Sequence, residues 1–246
     1  MNRVPAAPSR GIAILRCLCT IAAAACCTTV NAEGDSGGSL TVVSDSVYRG
    51  LSQTRGQLAI QVGAYGQFAQ YWSIGAALSS VDLGDWIDAS YEISASLNRD
   101  VLISDHWSAR ASYVYYSYPE DRGEYDYEEW IATLTYRDRI SATIAYSPNA
   151  SIYSYGRTTS RKSATSYELS ALHPISERWS AVAGLGYYDL SEAFDTGYRF
   201  WSAGLLFSIN SLQLDLLRID TDSTALRLFG SERAGGRWSA AIMWKF

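Results

Sequence analysis

The sequence predicts a closed antiparallel β-barrel of about twelve strands that crosses a membrane. Three observations carry this. Hydropathy alternates with a period of two from residue 40 onward, short and long connections alternate, and aromatic residues stand at the ends of the apolar faces rather than in their middles.

The N-terminus reads as a removable export signal over residues 1–32, leaving a barrel domain over 33–246. Arg3, Arg10 and Arg16 supply a positive flank, residues 17–27 a short apolar core, and Val30-Asn31-Ala32 a cleavage point. All four cysteines (Cys17, Cys19, Cys26, Cys27) lie inside it. Cleavage after Ala32 removes three arginines and no acids, so the remaining 214 residues carry a formal charge of −8 and no thiol. Thiol catalysis, thiolate metal sites and disulfides are thereby excluded, and nucleic acid is an ill-matched partner. No cofactor is implied. No apolar stretch after residue 32 approaches the roughly 18 residues of a membrane helix.

The alternating runs lie near 40–50, 56–69, 71–81, 87–98, 106–118, 125–136, 139–147, 164–173, 178–188, 198–208, 211–219 and 234–246. The fourth is the clearest. Ile87, Ala89, Tyr91, Ile93, Ala95 and Leu97 share one face, and Asp88, Ser90, Glu92, Ser94, Ser96 and Asn98 the other. In the fifth, Trp107, Ala109, Ala111, Tyr113 and Tyr115 alternate with a mostly polar set. In the ninth, Trp179, Ala181, Ala183, Leu185 and Tyr187 do so, and in the eleventh Leu212, Leu214 and Leu216. Connections after even-numbered runs are short, as at Ile209-Asn210, and 99–105 is somewhat longer. Those after odd-numbered runs tend to be long and polar, notably 148–163 and 220–233. Short turns on one side and long loops on the other mark an outer-membrane barrel.

Alternation alone does not say which face meets water, because a soluble sandwich shows the same period. The pairs Trp107/Tyr115, Trp179/Tyr187 and Trp238/Phe246 bracket stretches of Ala, Leu and Ile, as two interfacial girdles would. The middles of these faces are rich in Ala, where a soluble core wants larger side chains. The last strand ends in Phe246 with hydrophobes at every second position before it. That pattern resembles the C-terminal signal of outer-membrane barrels and implies the barrel-assembly machinery and outer-membrane lipid as partners. In this register Asp45, Arg49, Asp88, Glu92, Arg110, Glu129, Glu168, Asp215 and Arg237 all face the lumen. An arginine turned to the bilayer midplane instead costs about 2–4 kcal/mol, which fixes the register of the fifth run through Arg110.

The segment Ser39-Leu40-Thr41-Val42-Val43-Ser44-Asp45-Ser46-Val47-Tyr48-Arg49-Gly50-Leu51-Ser52-Gln53 resembles the opening of the TorF family of porins. The shared features are a strand closing on aromatic-Arg-Gly and then a Ser-Gln turn; Ser46 departs from the Tyr usual after the Asp. The resemblance implies an outer-membrane barrel passing small solutes, without naming one.

Two arrangements of the lumen charges follow. A basic wall of Arg49 and Arg237 faces an acidic wall of Glu92, Glu129 and Glu168 across the pore and sets up a transverse field, or the charges pair locally, Glu92 with Arg110 among them. The expected function is a bacterial outer-membrane pore for small polar solutes. A structural or adhesive barrel and a lipid-modifying barrel enzyme are the alternatives. His106 and His173 fall beside short turns and outside any catalytic motif, and the adjacent Glu128 and Glu129 point to opposite faces.

Overall fold

Backbone amides that meet hydrocarbon find no water, so a sheet in that setting has to close on itself. The computed structural model, which describes residues 36–84, 87–151 and 161–246, closes with twelve strands. They are β1 (Ser36–Val43), β4 (Ala59–Ala69), β5 (Trp72–Ser80), β6 (Tyr91–Ser104), β7 (Trp107–Ser117), β8 (Tyr127–Tyr136), β9 (Ile140–Ala150), β10 (Lys162–Pro174), β11 (Trp179–Asp189), β12 (Gly197–Ile209), β13 (Leu212–Thr221) and β14 (Arg237–Lys245). Each is antiparallel to its neighbours. The first and last strands seal the wall, with Thr41 opposite Met243 on one side and Gln61 on the other. Two short strands, β2 (Val47–Tyr48) and β3 (Leu51–Ser52), pair only with each other. The expected signal segment lies outside the described residues.

The outward face is the apolar one. Ile60, Val62, Ile74, Leu78, Ile144, Leu185, Leu205 and Leu216 are exposed in mid-strand, while Thr41, Gln61, Ser94, Asn98, Thr143, Ser170 and Ser239 are buried inside. Trp107, Trp179, Trp244 and Phe246 ring the short-turn end, and Tyr115, Trp130, Tyr146, Tyr167, Tyr187, Trp201 and Trp238 the other, all exposed. From Trp107 to Tyr115 the eight-residue rise, at about 3.3 Å each and a tilt of about 40°, gives a belt of roughly 20 Å. No helix among the described residues is long and apolar enough to cross a membrane, so any crossing is made by strands.

The short turns lie where the sequence puts them. Asn210 and the Arg137-Asp138 pair adopt positive φ, a conformation that Asn and Asp tolerate and a tight reversal needs. Three expectations require correction. The first wall strand ends at Val43, and residues 44–58 leave the wall and turn into the barrel. The fourth run begins at Tyr91: Ile87 and Ala89 are buried with Val81, Leu83, Tyr116, Tyr118 and Tyr127 instead of meeting lipid, and Asp88 is exposed in the link before the strand. At its other end β6 runs on to Ser104, so the reversal is a tight turn at Asp105-His106.

Ile144→Arg, on the outward face of β9, is expected to destabilise the folded barrel in lipid by about 2–4 kcal/mol, whereas Ser112→Arg, on the lumen side of β7, costs far less. Denaturant titration of both variants in bilayers checks the assignment of faces.

Candidate functional site

Residues 44–58 form the candidate site because they place charge inside the barrel. The chain leaves the wall at Ser44, whose amide donates to Ala240 O (2.8 Å) and whose hydroxyl accepts from the Ala240 amide (2.9 Å). Val47 pairs with Ser52 and Tyr48 with Leu51, leaving Arg49 and Gly50 as the two turn residues. Their φ values of 49° and 78° are both positive, the signature of the tight turn that suits a two-residue hairpin. Gly50 needs that freedom for space as well: a Cβ there would lie 2.5 Å from Thr221 Cγ2 and 2.7 Å from Phe200 Cβ.

Asp45 ties the base of the hairpin. It accepts from the Ser52 hydroxyl, from Thr54 Oγ1 at 3.1 Å and from Arg237 Nη1 at 2.9 Å, while Ser239 Oγ donates to its carbonyl at 2.8 Å. Gln61 Nε2 donates to Ser46 Oγ (3.1 Å) and Arg233 Nε to Ser52 O (3.2 Å). Arg49 ties the tip. Its Nη1 and Nη2 meet the two oxygens of Glu129 at 2.6 and 3.2 Å, and its Nε meets Glu168 at 3.5 Å. Its guanidinium lies between the rings of Tyr48 (4.5 Å) and Tyr188 (4.7 Å). Tyr48 donates to Glu129 at 2.6 Å, and Tyr198 donates to the Arg49 carbonyl at 3.0 Å. Arg49 is 3% exposed and Glu129 fully buried.

Two apolar clusters flank the hairpin at the long-loop end. Leu51 packs with Leu190, Tyr198, Phe200, Ala225, Phe229 and Ala234, which brings in helices α1 (Ser191–Phe194) and α2 (Ser223–Arg233). Tyr116, Tyr118 and Tyr127 form the second cluster with Val81, Leu83, Ile87 and Ala89. In the long loop beyond, burial and the nearby Glu124, Asp88 and Asp126 raise the pKa of Asp121. On the other side of the hairpin Val47 meets Val182, Leu206, Leu217 and Ile219. The lumen wall of β8 and β9 carries hydroxyls, with Thr133 to Thr143 at 3.0 Å and Thr135 to Ser141 at 2.9 Å.

The structure brings Asp45, Arg49, Glu129, Glu168 and Arg237 together. Arg49 and Arg237 do not stand as one basic wall facing an acidic one. Arg49 crosses the lumen on the hairpin and clasps the acids, so local pairing describes these charges. Arg110 pairs with Asp100, directly opposite it, at 2.7 Å, and Glu92 instead accepts from Tyr118 at 2.5 Å. Asp215 faces inward and accepts from Gln213 at 2.7 Å. Asp88 lines no wall strand. Tyr48, Gly50, Ser52, Thr54, Asp100, Tyr118, Tyr188, Tyr198 and Arg233 are functional neighbours that the sequence reading missed. The Tyr-Arg-Gly turn followed by Ser-Gln-Thr was the one local signal for some of them.

A family model described as "Bacterial protein of unknown function (Gcw_chp)" matches residues 30–244. No curated protein matches the chain. Among solved structures, the NanC porin is 9% identical with a TM-score of 0.58, the alignment covering 86% of this chain and 99% of that one. The KdgM porin is 8% identical with a TM-score of 0.52, covering 85% and 99%. KdgM in complex with disordered oligogalacturonate is likewise 8% identical, with a TM-score of 0.50, covering 87% and 99%. At these identities the likeness is one of fold, and the fold is that of a porin barrel.

Arg49→Met leaves Glu129 and Glu168 buried without their cation and is expected to destabilise the barrel by about 3–5 kcal/mol. Adding Glu129→Gln should recover part of that loss. Unfolding midpoints of the two single variants and the double variant form the cycle that measures the coupling.

Proposed function

We propose that this chain, which belongs to the Gcw_chp family of bacterial proteins, is an outer-membrane channel for small hydrophilic solutes, constricted by its own hairpin. The observation that carries the reading is the two-faced wall. It turns an aromatic-rimmed apolar belt outward and Ser, Thr, Asn and Gly inward around a hairpin that narrows the lumen. Twelve strands lie between the eight whose interior side chains fill and the sixteen that leave a wide aqueous channel. The porin fold of the structural neighbours supports the same reading, as does the likeness of residues 39–53 to the opening of TorF-family porins.

In this reading residues 1–32 direct export, the strand ending in Phe246 engages the barrel-assembly machinery, and the apolar belt lies in outer-membrane lipid. One observation favours the alternative of a barrel without a pore, acting as a structural surface protein. The clusters around Leu51 and Tyr116 pack the long-loop end densely. The two readings part in a planar bilayer.

The folded barrel is expected to give stepwise conductance smaller than that of a sixteen-strand porin. Replacing residues 45–54 by a short Gly-Ser linker should enlarge the steps. A heat-modifiable, correctly folded barrel that stays electrically silent would overturn the channel reading in favour of the poreless one.

A further inference from the structure

We infer that Arg233 is an oxyanion-binding site at the long-loop end of the barrel, one that takes the carboxylate or phosphate head of a small anion on the Nη1–Nη2 edge of its guanidinium. The site goes beyond the channel reading and stands in a conducting or a poreless barrel alike. Burying a cation is costly unless an anion meets it, so a buried arginine normally has a carboxylate beside it. The other arginines around the hairpin follow that rule. Arg49 meets Glu129 and Glu168, Arg237 meets Asp45, and Arg55 meets Asp82 and, at 3.7 Å, Glu232. Arg233 is only 8% exposed, yet no carboxylate among the described residues touches it. Its one hydrogen bond runs from Nε to the Ser52 carbonyl at 3.2 Å.

The local structure explains why this guanidinium keeps an unused edge. Helix α2 breaks at Gly230 (φ 75°, ψ 165°), and Arg233 follows the break. Beyond it the carbonyls of Glu232, Ala234 and Gly235 all accept from Arg237. Asp45 is engaged by Arg237, Ser52 and Thr54, and Glu129 and Glu168 by Arg49. No acid of the hairpin ion pairs is therefore left for Arg233. Phe229 and Ala234 are buried in the Leu51 cluster, which fixes the backbone on both sides of it. The Nε bond then orients the group. Among the described residues neither Nη has a partner, and neither is sealed from solvent. Parallel N–H groups on that edge match two oxygens of a carboxylate or a phosphate. Tying the hairpin to α2 uses a single donor, and Nε already supplies it. A purely structural tie leaves the charge and the second edge without a role.

The test is a calorimetric titration of the full barrel, folded in detergent, with sodium acetate and with sodium phosphate against a chloride background. The expected result is saturable one-site binding, and the tighter of the two anions identifies the head group. Arg233→Lys keeps the charge and a donor for Ser52 but lacks the paired edge, and Arg233→Gln lacks both charge and edge. Each, checked for folding by heat-modifiable migration, is expected to weaken binding by about tenfold or more. Arg199→Gln, at an exposed position of β12, is expected to leave it unchanged. A second readout needs no variant. The unfolding midpoint of the wild-type barrel should rise with either anion and level off at saturation, as linkage to a single site requires. No saturable binding of either anion, a midpoint that never levels off, or binding that the Arg233 variants retain would overturn the site. Neither readout uses current, so the site and the channel reading can fail separately.

Discussion

Closure of the wall between β1 and β14 is the constraint from which the rest follows. An open edge in hydrocarbon leaves a row of amides and carbonyls without partners, each costing several kcal/mol. Here β1 is short: its ladder with β14 stops at Val43 opposite Ala241, while β14 continues upward to Arg237. The upper edge of β14 is served by the chain that departs from it. Ser44 bonds Ala240 through both its amide and its hydroxyl, Ser239 reaches the Asp45 carbonyl, and Arg237 reaches the Asp45 carboxylate. The same few residues that finish the wall launch the hairpin, so sealing the barrel and occupying its lumen are one structural event.

At the tip of the hairpin, opposing terms of similar size meet. Holding a non-glycine residue in the left-handed region costs on the order of 1–2 kcal/mol, and burying a guanidinium costs several more. Arg49 accepts both costs. They are offset only because the fork of the side chain fits Glu129 with two nitrogens and Glu168 with the third, while tyrosine rings replace water on both faces. Lysine has neither the fork nor the flat faces, so a charge-conserving exchange at this position is not conservative.

Most of the wall was legible in the sequence because lipid on one side and a polar lumen on the other impose a strict period of two. Ala-rich faces ended by Trp and Tyr admit little else. The short turns were legible through residues that tolerate positive φ. What escaped was whatever depended on partners distant in sequence. Tyr48-Arg49-Gly50 continues the first strand when read locally. That it folds inward is decided by Glu129 and Glu168, 80 and 119 residues away. Asp88 misled for a related reason. Ile87 and Ala89 keep the strand period, but an apolar step satisfied by tyrosines of the long-loop end looks the same in sequence as one satisfied by lipid. The charged residues of the wall were found, but their pairing was not: ending the fourth run at Asn98 put Arg110 near Glu92, whereas the continuation of β6 to Ser104 sets it opposite Asp100.

The hairpin is better understood as a strut than as a stopper. One end is covalent with β1 and fastened to β14 through Asp45 and Arg237; the other is fastened to β8 and β10 through Arg49. It thus ties the closing seam to the wall facing it. A greasy plug would hold by area and tolerate sliding, because burial of apolar surface has no direction. A bidentate ion pair holds by geometry and does not slide. The apolar neighbours of the strut fit this division of labour: Val47 on one side and Leu51 on the other fill space against opposite lumen clusters, while the charged tip sets position. The spacing of seam and far wall is then held by the charged groups at the two ends of the strut.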